Sequence, residues 1–214
     1  MYKLNNDKIT INVDLDDVLN SLSSHWKRLH YLETGEIIKF KTWDAHKHSI
    51  YGHKIFKYFD YDGFFYDVPI KKGATELITY LINSNDIFDF QILSSCSGTK
   101  KEKYKSIYKQ KYEWLKFHFN EDIANRLNLI SDSKGLYKAN IIIDDYQKNL
   151  IESVYSTTKI LIRAEHNKNY SPMLLKKQYN LDALVCEHTN DVIPILSEIE
   201  ESTYNINRFI NFSK

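Results

Sequence analysis

The chain reads as an α/β protein: a three-layer, Rossmann-like, mainly parallel sheet with helices on both faces. Three observations predict this class. Short runs of β-branched and apolar residues alternate with stretches of helical period along the chain. Several of those runs end in carboxylate or hydroxyl residues, and in open parallel sheets the carboxyl ends of the strands face the ligand crevice. At 214 residues and 43% hydrophobic composition, the chain can bury the core that such a sheet requires.

The elements follow in order. Lys8 to Val13 is the first strand. Ala74 to Asn83 is a helix, because Leu77, Ile78, Leu81 and Ile82 recur with a period near 3.6. Phe88 to Leu93 is a strand that runs into Ser94-Ser95-Cys96-Ser97-Gly98-Thr99. A long polar-faced helix from about Lys103 to Phe119 and a short one around Glu121 to Leu127 come next. Leu127 to Ile130 is strand-like, and Asn140 to Ile143 is a buried strand leading into Asp144-Asp145. Lys148 to Tyr155 is a helix, Thr158 to Ile162 and Leu181 to Val185 are strands, and Asp191 to Glu201 is a closing helix. Pro194 falls in the first turn of that helix, where a missing N–H costs nothing. Residues 20–72 interrupt the alternation with an aromatic-rich segment. No repeat, low-complexity tract or flexible linker is present.

Lysine plus arginine number 29 against 28 acidic residues, a formal net charge of +1, so no basic field draws the chain to a nucleic-acid polymer or to anionic lipid. Cys96 and Cys186 are too few for a disulfide framework, and no Cys/His spacing reads as a zinc site. Met1 to Lys8 lacks the apolar core of a signal peptide, and no apolar run approaches the ~18 residues needed to span a bilayer. These features predict a cytoplasmic protein whose partner is a small molecule. Monomer and homodimer both remain open.

Asp14 and Asp16 stand two apart at the end of the first strand, where alternate side chains emerge on the same side. Asp14, Asp16 and Asp17 together accumulate like charge that a hard, oxygen-seeking cation such as Mg2+ relieves. Asp144 and Asp145 form a second carboxylate pair at a strand end, predicted to face the same cleft. Ser94 and Ser95 suit donation to phosphate oxygens, and Lys134, just after Leu127 to Ile130, can reach the same phosphate as a point charge. His46, His48 and His53, set among lysine, tyrosine and serine, read as a polar surface face.

The order Asp-x-Asp, Ser, Lys, Asp-Asp resembles the haloacid dehalogenase superfamily of phosphohydrolases. Asp14-Leu-Asp-Asp-Val-Leu19, Gly63-Phe-Phe65, Gly73-Ala74, Lys111-Tyr-Glu-Trp114, Lys134, Ile143-Asp-Asp145 and His166-Asn167 together look like the 5'(3')-deoxyribonucleotidases, the cytosolic type C nucleotidases. Two departures stand out: Asp17 occupies a position where that family usually has glycine, and Asp132 one where some members have arginine.

The resemblance implies a core of residues 1–19 and 73–214, with residues 20–72 as a small helical cap inserted after the first strand. It implies an Mg2+-dependent phosphatase that hydrolyses deoxyribonucleoside 5'-monophosphates through an aspartyl-phosphate. Asp14 would be the nucleophile and Asp16 the acid/base, with Ser94 and Lys134 on the transferring oxygens and Ser95 adding to the cradle. Asp14, the backbone carbonyl of Asp16, and Asp144 or Asp145 would hold the metal. Phe65 matches a base-pocket phenylalanine of the family. Trp43 and Phe59 join it by position alone, with packing of the cap as the alternative. The competing readings are a related phosphohydrolase or phosphotransferase acting on another small phosphorylated metabolite, and a non-catalytic nucleotide-binding module.

Overall fold

The computed structural model describes residues 3–5, 7–41, 45–96 and 101–212. Its frame is a six-stranded, wholly parallel sheet in the order β3-β2-β1-β4-β5-β6. The strands are β1 (Ile9–Asp14), β2 (Phe88–Ser95), β3 (Leu127–Ile130), β4 (Ile141–Asp144), β5 (Thr158–Ile162) and β6 (Leu184–Cys186). The order reverses at β1, so the crevice outside the carboxyl ends of β1 and β4 is the topological switch point where such sheets take ligands.

The strands are buried on both faces, and their apolar residues sort by the two-residue period of the pleat. Ile141, Ile143, Ile160 and Ile162 join Ile11 and Val13 in one core, against helices α2 (Ala74–Asn83), α3 (Tyr104–His118), α4 (Glu121–Ala124) and α7 (Val192–Phe212). The alternate residues Ile142 and Leu161 pack the other way, with Leu150 of α5 (Gln147–Glu152) and Leu175 of α6 (Pro172–Tyr179). Under β1 to β3 this second face is polar. Asn128 donates to Gln91 (2.7 Å), Gln91 to Asn12 (2.7 Å), and Asn12 to the carbonyl of Tyr137 (2.6 Å), which satisfies every step of a buried amide ladder.

Most sequence boundaries shift by a residue or two. β2 continues through Ser95 because Ser94 and Ser95 pair with Leu129 and Ile130. β6 keeps only three residues, set by its short pairing with β5. Helix α6 escaped the pattern reading, although Ser171 accepts from Leu174 N as its cap and Pro172 opens it.

Residues 20–72 hold α1 (Leu22–Thr34) and two 3-10 segments, Ala45–His48 and Gly52–Asp60. Trp26, Phe40, Ile55, Tyr58, Phe64 and Phe65 form their own apolar cluster, which Ile107 of α3 joins. The two ends of the segment are stitched together by the Asn20–Ile70 antiparallel bridge and by Ser21 N to Pro69 O (2.8 Å) and Lys71 N to Leu19 O (2.9 Å). The segment therefore leaves and rejoins the core at a single point.

Candidate active site

Each acidic tip owes its position to a strand. Asp14 closes β1 and Asp144 closes β4, and both are almost fully buried. Lys134, in a 3-10 turn after β3, forms ion pairs with the carboxylate of Asp14 and with Asp144 Oδ2 (3.4 Å). Gly135 fixes that turn against α5: a Cβ there would lie 2.4 Å from the backbone carbon of Glu152.

Asp16 belongs to a second group. Its Oδ2 accepts from Ser94 Oγ (2.9 Å) and from the ammonium of Lys111, which also donates to Ser94 Oγ (2.7 Å). Its Oδ1 accepts from Asn20 Nδ2 (3.1 Å). Lys111 is only 2% exposed and sits 4.5 Å from the ring centroid of Phe65, whose backbone N–H donates to Gln110 (3.1 Å).

Asp145 is braced from behind. Asn167 Nδ2 donates to its carbonyl (2.6 Å) and to that of Ile162 (2.8 Å), and His166 Nε2 lies 3.0 Å from the same carbonyl of Asp145. The carboxylate Oδ2 is buried and takes no hydrogen bond, with His166 Nε2 3.4 Å away. Asp17 adopts a left-handed conformation (φ 57°), which accounts for the glycine expected at its position. Ser23 compensates by donating to both carboxylate oxygens of Asp17, and Lys71 donates to its carbonyl.

Five carboxylates thus face Lys71, Lys111 and Lys134, an excess of two negative charges when all are ionised. Burial pushes Asp14 up to about 7, against the pull of Lys134. Burial also lifts Asp145 well above the carboxylate range, with Asp14 and Asp144 adding to the shift. Burial acts on Asp16 too, but the charge and hydrogen bond of Lys111 outweigh it and hold Asp16 below its usual value. Carboxylate oxygens of Asp14, Asp144 and Asp145 all lie within 4.8 Å of one another. A donor set of oxygens, surplus negative charge and an orphaned buried oxygen on Asp145 fit a hard divalent cation.

This balance makes stability depend on pH when no divalent ion is bound. Asp14 has a folded-state pKa above its unfolded one, so its contribution is complete below about 4 and is lost as pH climbs through about 7, and the raised pKa of Asp145 acts in the same direction. Thermal unfolding without divalent ions is expected to give a higher Tm near pH 5 than near pH 8. A Tm that rises over that interval contradicts this electrostatic reading.

The structure brings together Asp14, Asp16, Ser94, Ser95, Lys134, Asp144, Asp145 and Phe65, while Trp43 lies outside the described residues, as do Ser97, Gly98 and Thr99. A cavity of about 400 Å3 is lined by Asp14, Asp16, Ser95, Lys111 and Lys134 and by aromatic walls from Trp26, Phe40, Phe56, Phe59 and Phe65. His46, half-buried, and His53 also line it, while His53 and His48 keep the exposure expected of a polar surface face. In the second 3-10 segment His53, Phe56 and Phe59 stand three apart, so that turn brings them to one side. Lys111 carried no assigned role in the sequence reading. It lies 95 positions from Asp16, and only the Lys-Tyr-x-Trp motif marked it.

Residues 7–182 match the family described as 5' nucleotidase, deoxy (pyrimidine), cytosolic type C protein. The chain belongs to this family. A curated relative, the 5'(3')-deoxyribonucleotidase of Clostridium acetobutylicum, is 27% identical over 192 residues, 87% of this chain and 99% of its own. Among solved structures, a haloacid dehalogenase-like hydrolase from Streptococcus pneumoniae superposes with a TM-score of 0.52 at 13% identity, covering 88% of this chain and 98% of that one. A haloacid dehalogenase-like protein of unknown function from Agrobacterium tumefaciens gives 0.50 at 12% identity, covering 90% and 99%. The nucleotidase is therefore a phosphoric monoester hydrolase, a nucleotide phosphatase on the haloacid dehalogenase fold. Among the described residues no helix is long and apolar enough to cross a membrane.

Proposed function

We propose that this chain hydrolyses deoxyribonucleoside 5'-monophosphates in the cytoplasm, in an Mg2+-dependent reaction that passes through a phosphoryl group on Asp14. The observation that carries the reading is the convergence of Asp14, Asp144, Asp145 and Lys134, of which Asp14 and Lys134 also line an aromatic cavity. Residues 20–72 act as the cap, closing aromatic walls over the phosphate end and excluding bulk water.

Asp14 attacks phosphorus, forming an O–P bond as the bond to the nucleoside 5'-oxygen breaks. Lys134, beside Asp14, favours the ionised form of the attacking carboxylate against burial and orients it. Asp16 gives its proton to the departing oxygen, then takes one from the water that cleaves the acyl phosphate, releasing orthophosphate and restoring Asp14. Lys111 and Ser94, both bonded to Asp16 Oδ2, are the donors an incoming phosphate dianion would recruit. Their recruitment would free that oxygen to carry a proton. Asp14, Asp144, Asp145 and the carbonyl of Asp16 would hold the metal, and a bound Mg2+ supplies charge neutralisation for the approach of one anion to another.

A panel of phosphomonoesters with and without Mg2+ tests the reading. The expected result is kcat/KM for dUMP, dTMP and dGMP well above that for sugar phosphates or 4-nitrophenyl phosphate, and loss of turnover on chelation restored by Mg2+. Equal rates across the panel would defeat the nucleotide reading, and full activity in chelator would defeat metal dependence.

A further inference from the structure

Lys71 stands where residues 20–72 rejoin the core, and the proposed reaction gives it no task. Its main chain is fixed on both sides: its N–H donates to Leu19 O (2.9 Å), and its carbonyl accepts from Ala74 N (3.1 Å) at the start of α2. From that fixed base the half-buried side chain reaches across two loops. Its ammonium donates to the carbonyl of Asp17 and to the carbonyl of Arg163 (2.8 Å).

Each carbonyl belongs to a loop that serves the acidic cluster. Asp17 follows Asp16 directly, in the loop after β1. Arg163 follows β5 and opens the loop in which Asn167 accepts from Ala164 N (2.9 Å) and donates to the carbonyl of Asp145 (2.6 Å). One ammonium therefore spans from the loop of Asp14 and Asp16 to the loop that steadies Asp145. β4 lies between β1 and β5 in the sheet, so no strand pairing makes this tie.

Resting on the Mg2+-dependent reading, we infer that Lys71 is a positioning residue for the divalent-ion site, holding the loop of Asp14 and Asp16 in register with the loop behind Asp145. Charge and position pull in opposite directions here, which makes the role testable. The charges of Asp17, Asp145 and Asp14 all act on the Lys71 ammonium. Electrostatics alone would have its removal strengthen the binding of a cation to those carboxylates. Loss of the tie does the reverse, because groups that orient metal ligands are worth about tenfold to a hundredfold in affinity.

The experiment measures the Mg2+ dissociation constant by titration calorimetry on the whole, substrate-free protein. Misfolded material lowers the apparent stoichiometry and leaves the constant of the folded fraction intact. Lys71→Met, which keeps the stem and removes both donated bonds, is expected to weaken Mg2+ binding by about tenfold or more. Lys71→Arg, which keeps the charge and several N–H donors, should restore most of the affinity. The loss in Lys71→Met should be equally large in an Asp17→Gly background, because glycine keeps the carbonyl and tolerates the left-handed backbone while removing the carboxylate. An unchanged or tightened constant in Lys71→Met, even with a lowered Tm, overturns the inference, as does disappearance of the effect beside Asp17→Gly. Failure of the underlying reading looks different: wild type would then take up no Mg2+ at all, and both would fall together.

Discussion

Replacing Asp14 by asparagine is expected to lower kcat by about 10^4-fold or more while the protein stays folded, since removal of a nucleophile acting in a concerted site costs on that order. Asparagine preserves the volume and one hydrogen-bonding oxygen at the end of β1, so the sheet keeps its register with β2 and β4. The variant does lose the ion pair with Lys134, but burial already works against the charged form of Asp14. Above about pH 7 the substitution also relieves repulsion from Asp144 and Asp16. A Tm within a few degrees of wild type, together with collapsed turnover, is the expected pair of results. Turnover retained to within about tenfold would remove Asp14 from the chemistry.

The second large effect concerns Lys111. Replacing it by methionine keeps much of the aliphatic stem against Phe65 but removes the cation that holds Asp16 ionised inside the protein. Breaking one side of a buried pair leaves an uncompensated charge and costs about 3–5 kcal/mol. Urea unfolding of Lys111→Met near neutral pH should show that loss. With the lysine gone, burial meets only the weaker pull of Asn20 and Lys134 and the pKa of Asp16 rises, so the deficit should narrow as pH falls and the carboxyl takes up a proton. Activity should fall as well, because Ser94 and Asp16 lose their shared donor. A loss below about 1 kcal/mol at neutral pH would mean that the pair is solvated like a surface bridge.

Much of the sheet was legible because its strands are short apolar runs with hydrophilic stops. Ile141–Asp144 and Ile9–Asp14 each end on the carboxylate that stands at the crevice, so strand and site residue were read from one signal. Lys134 was legible for the same reason, by its place after a strand. What escaped was set by tertiary contacts. Lys111 lies mid-helix among other lysines, Lys105, Lys109 and Lys116, and periodicity alone cannot tell which of them turns inward. His46 and His53 became pocket residues through stacking between two 3-10 segments, a geometry with no strong sequence period. Helix α6 had readable signals in Ser171 and Pro172, but its single buried leucine gave almost no amphipathic pattern. Asp17 was noticed as a departure from the family, yet the reason it is tolerated, two hydrogen bonds from Ser23, required the fold.

The central claim is that Asp14 takes the phosphoryl group, and trapping it is the direct measurement. Enzyme mixed with dUMP and Mg2+ is quenched in acid within one turnover, digested, and its peptides are weighed by mass spectrometry. The account predicts one acid-stable, base-labile phosphoryl group on the peptide carrying Asp14, absent from Asp14→Asn. A phosphoryl group on another residue, or release of phosphate in that first turnover with no covalent species on any peptide, would contradict it.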